Sequence, residues 1–309
     1  MKLSTYLHNG LKSCGIITEK GIIDIGSGTD GRFRSIQQIL VGGESAMAKI
    51  AGLSGSADEF IEIDKVNLLS PIPRPGKIIA LAGNYEKHII EGGLKLGLSQ
   101  SPRTSTVPRP FLMPGTVITG RDTEISWPAF SEQIDYEVEL AVVIGKSAKC
   151  ISPAEALDYV AGYTIANDIS ARSVTFKENR KARPWDEFFD WLNGKWADGF
   201  LPLGPCLVTA DEIENVQDLD LELSVNGQVR QNANTSQMIF TVADIVSFLS
   251  FLMTLEPGDV IATGTPEGVA MATGQFLQPG DKIQCRIENL GTLTNTLGNP
   301  PEQFYKPLS

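Results

Sequence analysis

The sequence has few histidines, only scattered cysteines and no excess of basic side chains. His8 and His88 are its only histidines, so it cannot build a three-histidine zinc site, and a histidine general base must be one of these two. The formal charge of −11 argues against nucleic acids and anionic membranes as partners. A disulfide framework or cysteine metal site is not expected, because no C-x-x-C pair occurs among Cys14, Cys150, Cys206 and Cys285.

Long hydrophobic runs are also missing. Residues 1–6 lack the apolar core of a signal peptide. The longest apolar stretch, residues 238–255, contains Asp244 and several hydroxyl groups, which predicts a buried helix rather than a membrane span. We therefore expect a cytoplasmic protein that does not contact a membrane.

The sequence predicts a division into two domains. Short strands at residues 3–7, 13–18 and 21–25 are followed by helical segments at 35–41 and 44–51. Residues 70–76 then carry three prolines within five positions, which indicates a semi-rigid connector. The prediction is a small N-terminal α/β domain over residues 1–70 and a larger domain over residues 71–309.

A glycine motif in the first domain has the G-x-G-x-x-G spacing, at Gly26, Gly28 and Gly31. A dinucleotide site also needs a βαβ unit around these glycines. The residues that follow, 42–47, instead indicate a turn and a helix start. We interpret the motif as a flexible turn, which leaves a nucleotide-binding oxidoreductase as a remote alternative.

The larger domain is rich in predicted strands, many joined by Gly/Pro turns. Helices are predicted only at residues 85–96, 153–159 and 242–253. Because strands and helices do not alternate, a doubly wound fold is not expected. The pattern predicts a β-rich α+β fold with an antiparallel or mixed, barrel-like core and peripheral helices.

Carboxylates line one face of the predicted strand at residues 134–145. Alternate residues of a strand share a face, so Asp135, Glu137 and Glu139 should point the same way. Two carboxylates about 5 Å apart repel by roughly 3 kcal/mol at an effective dielectric of about 20. An oxygen-bound Mg²⁺, Mn²⁺ or Ca²⁺ ion would relieve this repulsion, whereas a solvated, alternately charged face is the competing interpretation. Asp168, at the end of another strand, could complete the site or cap a turn.

His88 and Glu91 lie three residues apart in the predicted helix and therefore share one helix face. A carboxylate beside an imidazole fixes the tautomer and raises the basicity, which is how a water-activating base is built. The competing interpretation is an ordinary surface pair. His8 flanks a predicted hairpin turn, and we expect no role for it.

Several motifs together resemble the fumarylacetoacetate hydrolase family. They follow the family order and span about residues 75–297. The resemblance implies a mixed β-roll or barrel catalytic domain, a small N-terminal domain and a homodimer. The matching motifs are Gly83-Asn84-Tyr85 with His88 and Glu91, residues 135–140, residues 167–172, Gly194-Lys195 with residues 202–205, and residues 255–266.

The resemblance also implies roles for individual residues. Glu137, Glu139 and Asp168 match the ligands of Mg²⁺, with Mn²⁺ or Ca²⁺ as alternatives. His88 and Glu91 match the water-activating pair on a lid helix, and Lys195 matches the cation that stabilises an oxyanion. Arg172 and Thr265 match substrate contacts. From the residues alone, Lys195 could be a surface lysine, Arg172 an ion-pair partner and Thr265 a turn residue.

The expected activity is metal-dependent hydrolysis or lysis of a carbon–carbon bond in a small 2-oxo or 2,4-dioxo acid. An oxaloacetate-type decarboxylase and a 2-hydroxydienoate isomerase or tautomerase are the alternatives on the same scaffold. A non-catalytic metal-binding protein is a remote one. Gly83 stands where some family members carry Arg or Lys, and residues 173–194 form a long basic and aromatic insert. Both departures leave the substrate open.

Overall fold

The computed structural model describes residues 1–91, 105–174, 176–305 and 307. Its helices are α1 Ile25–Gly28, α2 Ile36–Val41, α3 Gly43–Ser56, α4 Glu86–Glu91, α5 Asp186–Asn193, α6 Val242–Leu252 and α7 Ala270–Thr273. Its strands are β1 Lys2–His8, β2 Leu11–Thr18, β3 Gly21–Asp24, β4 Asn67–Leu69, β5 Ile78–Leu81, β6 Pro110–Leu112, β7 Ile118–Thr119, β8 Glu124–Ile125, β9 Gln133–Asp135, β10 Val138–Ile144, β11 Val160–Asn167, β12 Ser170–Arg172, β13 Leu201–Thr209, β14 Asp220–Val225, β15 Gln228–Asn234, β16 Val260–Ala262, β17 Lys282–Ile287 and β18 Gly291–Leu297.

One large sheet organises the fold. Its strands follow the order β3-β2-β1-β13-β11-β10-β16-β5-β6, with β4 beside β1 and β7 beside β13. A second sheet has the order β15-β14-β17-β18-β8, and β12 pairs with β9. Most pairings are antiparallel, and β16–β5, β13–β7 and β18–β8 are parallel. The predicted β-rich α+β class is confirmed, and the described strands form open sheets rather than a closed barrel.

The strand β10 is buried along its whole length because both of its faces are covered. Val138, Leu140, Val142 and Ile144 belong to the core shared with the second sheet. On the opposite face, Ala141 and Val143 belong to the core that includes α2 and α3. A continuous apolar run is what a strand covered on both faces requires.

The N-terminal strands extend the large sheet, since Lys2 and Leu3 of β1 pair with Val208 and Leu207 of β13. The division at residue 70 remains a prediction. Near Gly26 and Gly31, β3 runs antiparallel to β2 and leads into the four-residue helix α1. The glycine motif therefore does not lie in the βαβ unit that a dinucleotide site requires.

Two predicted elements differ in the structure. The strand expected over residues 134–144 is interrupted between β9 and β10, because the Tyr136 N–H binds Asp135 Oδ1 and the Glu137 N–H binds Asn167 Oδ1. The predicted helix at 153–159 is a short 3₁₀ turn over Ala156–Tyr159.

The other predicted helices are found where the structure describes them. The helix expected at 85–96 is α4 up to Glu91, and the rest lies outside the described residues. The apolar stretch 238–255 contains the buried helix α6, which begins at a capping box of Thr241 and Asp244. Among the described helices, none is long and apolar enough to cross a membrane.

Candidate active site

Three buried carboxylates meet at the end of the central strands. Glu137, Glu139 and Asp168 each offer one oxygen, and these oxygens lie within 4.8 Å of one another. Strand pairing places Val138 opposite Asn167, so Asp168 follows directly beside Glu137. The Asp168 N–H donates to the Glu137 carbonyl at 2.9 Å. The predicted three-carboxylate arrangement is therefore present, and antiparallel pairing of β10 with β11 creates it.

Two cations, the buried Lys195 and the largely buried Arg172, neutralise part of this charge. Lys195 Nζ lies 2.7 Å from Glu137 Oε2 and 2.8 Å from Asp168 Oδ2, and its side chain is only 1% exposed. Arg172 Nη2 lies 2.5 Å from Glu137 Oε1, and its Nε lies 3.0 Å from Asp135 Oδ2. Lys195 is thus not a surface lysine. Four buried carboxylates and two cations leave a deficit of two positive charges when all are ionised.

The three carboxyl groups differ in their pKa values. Burial would raise the pKa of Glu137, but the charges of Lys195 and Arg172 outweigh it and lower that pKa to about 2. Burial raises the pKa of Asp168 to about 6, although Lys195 opposes this. Burial, with the charges of Asp168 and Glu137, raises the pKa of Glu139 well above its usual value. One member of the group therefore needs a proton or a further cation.

The residues fit a divalent cation. Asp168 Oδ1 is buried, and no described atom gives it a hydrogen bond. A buried acceptor without a partner is uncommon in folded proteins and indicates a missing ligand. Carboxylate oxygens without His or Cys favour hard cations such as Mg²⁺, Mn²⁺ or Ca²⁺. Glu137, Glu139 and Asp168 are the residues that would hold such an ion.

Asp135, expected on the same face as Glu137 and Glu139, anchors its surroundings instead. Its carboxylate accepts from the N–H groups of Ala270 at 2.6 Å and Met271 at 3.0 Å, besides Arg172. Arg172 therefore connects Asp135 with Glu137. Its contacts agree with the ion-pair alternative, and its predicted role in substrate binding remains a prediction.

The predicted His88–Glu91 pair is present on α4. His88 Nδ1 lies 3.1 Å from Glu91 Oε1, and both side chains are about one-fifth exposed. Glu91 also accepts from the Gly268 N–H, at 3.0 Å and 2.8 Å to its two oxygens. A protonated His88 would add to the lowering of the Glu137 pKa by Lys195 and Arg172.

One loop, residues 263–268, contacts both groups. The Gly264 N–H donates to Glu139 Oε2 at 2.8 Å, and the Gly268 N–H binds Glu91. Both glycines have positive φ values, 94° and 100°. A Cβ on Gly268 would lie 2.2 Å from the carbonyl oxygen of Arg230. The loop therefore requires glycine at this position, and it fixes the carboxylates relative to the His88–Glu91 pair.

Sequence reasoning assigned no role to two buried amides beside this loop. Asn84 Nδ2 donates to the carbonyls of Thr263 at 2.9 Å and Phe240 at 3.1 Å, which ties the start of α4 to the loop. Gln231 Nε2 donates to Thr265 Oγ1 at 2.8 Å. Asn84 belongs to the Gly83-Asn84-Tyr85 motif, so the sequence did indicate that it lies near the site. No sequence motif indicated Gln231, because its partners Val138 and Thr265 lie far away in the sequence.

Two arginines of the insert, Arg180 and Arg183, are paired within it. Arg180 Nη1 lies 2.9 Å from Asp190 Oδ1, and Arg183 Nη2 lies 3.2 Å from Asp186 Oδ1. Trp191 of α5 lies with its ring centroid 5.9 Å from Lys195 Nζ. The insert therefore borders the buried lysine with an aromatic ring.

Comparison with known proteins agrees with this site. Residues 77–298 match the model of the fumarylacetoacetate hydrolase C-terminal domain. The mitochondrial oxaloacetate tautomerase Fahd2a of Rattus norvegicus is 37% identical over 93% of this chain and 86% of its own length. The structure of 5-carboxymethyl-2-hydroxymuconate delta-isomerase from Mycobacterium smegmatis is 31% identical, with a TM-score of 0.73, covering 98% of this chain and 100% of that one.

A third relative carries the name of the family. The structure of fumarylacetoacetate hydrolase from Exiguobacterium antarcticum is 30% identical, with a TM-score of 0.76, covering 97% of this chain and 99% of that one. The domain match, the tautomerase and these two structures all agree with the motifs found in the sequence. The chain belongs to the fumarylacetoacetate hydrolase family.

Proposed function

We propose that this protein is a divalent-metal-dependent enzyme that interconverts the keto and enol forms of a 2-oxo acid of the oxaloacetate type. The observation that carries the proposal is the buried carboxylate group, with its unpartnered Asp168 oxygen, which the loop at residues 263–268 connects to Glu91, the partner of His88. The family alone allows hydrolysis, decarboxylation and isomerisation. The named activities of the rat tautomerase and the mycobacterial isomerase favour proton transfer over the expected hydrolysis of a carbon–carbon bond.

In this proposal His88 is the base. Its Nδ1–H faces the Glu91 carboxylate, which leaves the lone pair on Nε2 to take a proton from C3 of the acid. The proton then goes to the 2-oxo oxygen, so the reaction is balanced and needs no co-reactant. Glu137, Glu139 and Asp168 would hold the divalent ion, which when bound would supply Lewis acidity.

The other predicted residues assist this transfer. The Lys195 ammonium adds positive charge near the oxygen that becomes negative. The Thr265 hydroxyl binds the substrate carboxylate. Arg172 acts mainly by holding Glu137, since its ion pairs are with Asp135 and Glu137. A homodimer and a cytoplasmic location remain predictions, and the name of the rat relative, which is mitochondrial, does not support the latter.

Hydrolysis of an acylpyruvate is the second candidate, favoured by the likeness to the Exiguobacterium hydrolase. Both reactions pass through an enolate. In hydrolysis, His88 would activate water instead of removing a proton from carbon, and Lys195 would stabilise a tetrahedral oxyanion.

NMR in D₂O distinguishes these reactions. The Mg²⁺-loaded protein is given oxaloacetate or an acylpyruvate, with metal but no protein as the blank. Faster deuterium exchange at C3 of oxaloacetate without faster loss of CO₂ supports the tautomerase. Faster release of pyruvate from oxaloacetate indicates decarboxylation, and release of pyruvate with a carboxylic acid from the acylpyruvate indicates hydrolysis. Exchange no faster than in the blank contradicts the proposal.

A further inference from the structure

Gln231 connects the strand of the carboxylates to the loop that carries Thr265. It lies on β15 of the second sheet and is only 1% exposed. Its Oε1 accepts from the Val138 N–H at 2.9 Å, and Val138 stands between Glu137 and Glu139. Its Nε2 donates to Thr265 Oγ1 at 2.8 Å and to the Pro266 carbonyl at 2.9 Å. One amide therefore joins both sides of the site.

The orientation of this amide follows from its partners. A backbone N–H can only donate, so the oxygen of the amide must face Val138. A backbone carbonyl can only accept, so the nitrogen must face Pro266. The second proton of Nε2 is then directed at Thr265 Oγ1. A flipped amide would lose the bonds to both backbone groups, which fixes the assignment.

This orientation determines what the Thr265 hydroxyl can do. Its oxygen already accepts a hydrogen bond from Gln231. Thr265 is buried, and among the described residues no atom accepts the proton of its hydroxyl group. The hydroxyl is therefore prepared to donate to an acceptor that the protein does not supply. A carboxylate is the strongest such acceptor, because a hydrogen bond to an ionised oxygen is stronger than one to a neutral carbonyl, whereas an amide nitrogen or an ammonium group does not accept.

We propose that Gln231 is a positioning residue that keeps the Thr265 hydroxyl as a hydrogen-bond donor and so makes the site select an anionic, carboxylate-bearing substrate. The inference rests on the proposed function and names a determinant of its substrate class. Gln231 does not touch the substrate. It acts through Thr265, and its bond to Val138 keeps Thr265 in register with the carboxylate group.

Gln231→Glu tests this role in the full-length, Mg²⁺-loaded protein. The introduced carboxylate can still accept from Val138, but once ionised it has no proton to give to Thr265. The Thr265 hydroxyl then donates its proton to the new carboxylate and can no longer donate to the substrate. We expect the Kd of oxalate, an unreactive dicarboxylate probe, to rise by about tenfold or more, because hydrogen bonds to charged groups contribute about 1.5–3 kcal/mol. The KM for oxaloacetate should rise with it, and more than kcat falls.

A double-mutant cycle distinguishes this role from one in which Gln231 only stabilises the structure around the site. Thr265→Val removes the hydroxyl and should weaken oxalate to a similar degree. The cycle uses Gln231→Met, because this change adds no charge beside the proposed anion site. Adding Gln231→Met to Thr265→Val should weaken oxalate binding little further, because both changes remove the same interaction with oxalate. Gln284→Glu, the same chemical change on β17 of the same sheet, is the matched control and should bind oxalate as the wild type does.

The outcomes distinguish the inference from the proposed function. If the wild type binds oxalate and the Gln231 variants bind it equally well, the proposed role of Gln231 is wrong and the proposed tautomerase activity is unaffected. Additive effects in the cycle contradict it as well. If the wild type binds oxalate in this manner but shows no deuterium exchange, the proposed reaction fails and the anion-selective site stands. If the loaded wild type does not bind oxalate at all, the inference is overturned.

Discussion

Both carboxylate oxygens of Glu91 accept a hydrogen bond from one backbone group, the N–H of Gly268, at 3.0 Å and 2.8 Å. These residues are 177 positions apart. Glu91 in turn lies 3.1 Å from His88 Nδ1. A single glycine therefore fixes the carboxylate that orients the proposed base.

Replacing Gly268 should lower kcat, because His88 loses its orientation, but should leave the affinity for Mg²⁺ nearly unchanged. Gly268→Ala places a methyl group 2.2 Å from the Arg230 carbonyl oxygen in a backbone with φ of 100°, so the loop must move. Glu91 then loses its donor, and we expect kcat to fall by about tenfold or more, the size of a general-base contribution partly lost. Mg²⁺ affinity, measured by calorimetry, should change little.

Gly274→Ala is the matched control. Gly274 also has a positive φ, 73°, but a Cβ there meets no atom within 4 Å. It should cost about 1 kcal/mol of stability through backbone strain and leave kcat near the wild-type value. Equal losses of activity in the two alanine variants would show that strain, and not the contact with Glu91, is responsible.

Glu139→Gln should have opposite effects on the Tm of the metal-free protein and on the Tm of the Mg²⁺-loaded protein. Glu139 is buried beside Asp168 and Glu137, and its pKa is raised because ionisation is unfavourable there. Removing the charge should leave the metal-free Tm unchanged or higher and abolish most of the Tm increase on adding Mg²⁺. Glu214→Gln, on the surface, should keep that increase. A full Tm increase in Glu139→Gln would exclude Glu139 as a ligand.

The affinity for Mg²⁺ should rise with pH through about 6. Asp168 has its pKa raised to about 6, mainly by burial, and Glu139 is raised as well, so the ion must displace protons. Calorimetry in buffers of different ionisation enthalpy should detect proton release near pH 6, and less of it in Asp168→Asn. Affinity that is independent of pH between 5 and 7 would contradict the raised pKa values.

The same shift determines the stability of the metal-free protein. A carboxyl group whose folded pKa lies above its ordinary value of 3.8 binds more protons in the folded state, so its contribution is lost as pH rises towards 6. Glu137, with its lowered pKa, acts oppositely but only below its ordinary 4.5. Between pH 4.5 and 7, denaturant unfolding should show about 2 kcal/mol less stability from Asp168. Asp168→Asn should remove this part of the slope, whereas Glu139, whose pKa is also raised, still contributes in the same direction.

Local pairs in this site were predictable, and distant ones were not. His88 with Glu91, and Glu137 with Glu139, follow from the periodicities of a helix and a strand. Asp168 was placed mainly through the family resemblance. The contacts of Gly268 with Glu91 and of Gln231 with Val138 depend on which strands become neighbours, and 177 and 93 residues separate these partners. No local pattern encodes such pairings.

The fold shows the same limit. The alternation of Val138, Glu139 and Leu140 predicted a strand with two different faces, and the structure confirms it. The interruption before Val138 was not predicted, because it depends on a side-chain acceptor, Asn167, from the next strand. Because of this interruption, Glu137 lies outside the hydrogen-bonded strand β10. In that position it contacts both Lys195 and Arg172.

Lys195→Met should destabilise the metal-free protein strongly. Lys195 is the shared partner of Glu137 and Asp168, and its removal leaves both carboxylates buried with one fewer cation. Breaking a buried ion pair in this way costs about 3–5 kcal/mol, measurable by urea unfolding. Lys149→Met, at an exposed lysine, should cost less than about 0.5 kcal/mol. Saturating Mg²⁺ should recover part of the loss, because the ion supplies positive charge to the same oxygens, whereas deuterium exchange at C3 should stay low without the ammonium group. Full exchange activity in the stabilised variant would limit Lys195 to a structural role.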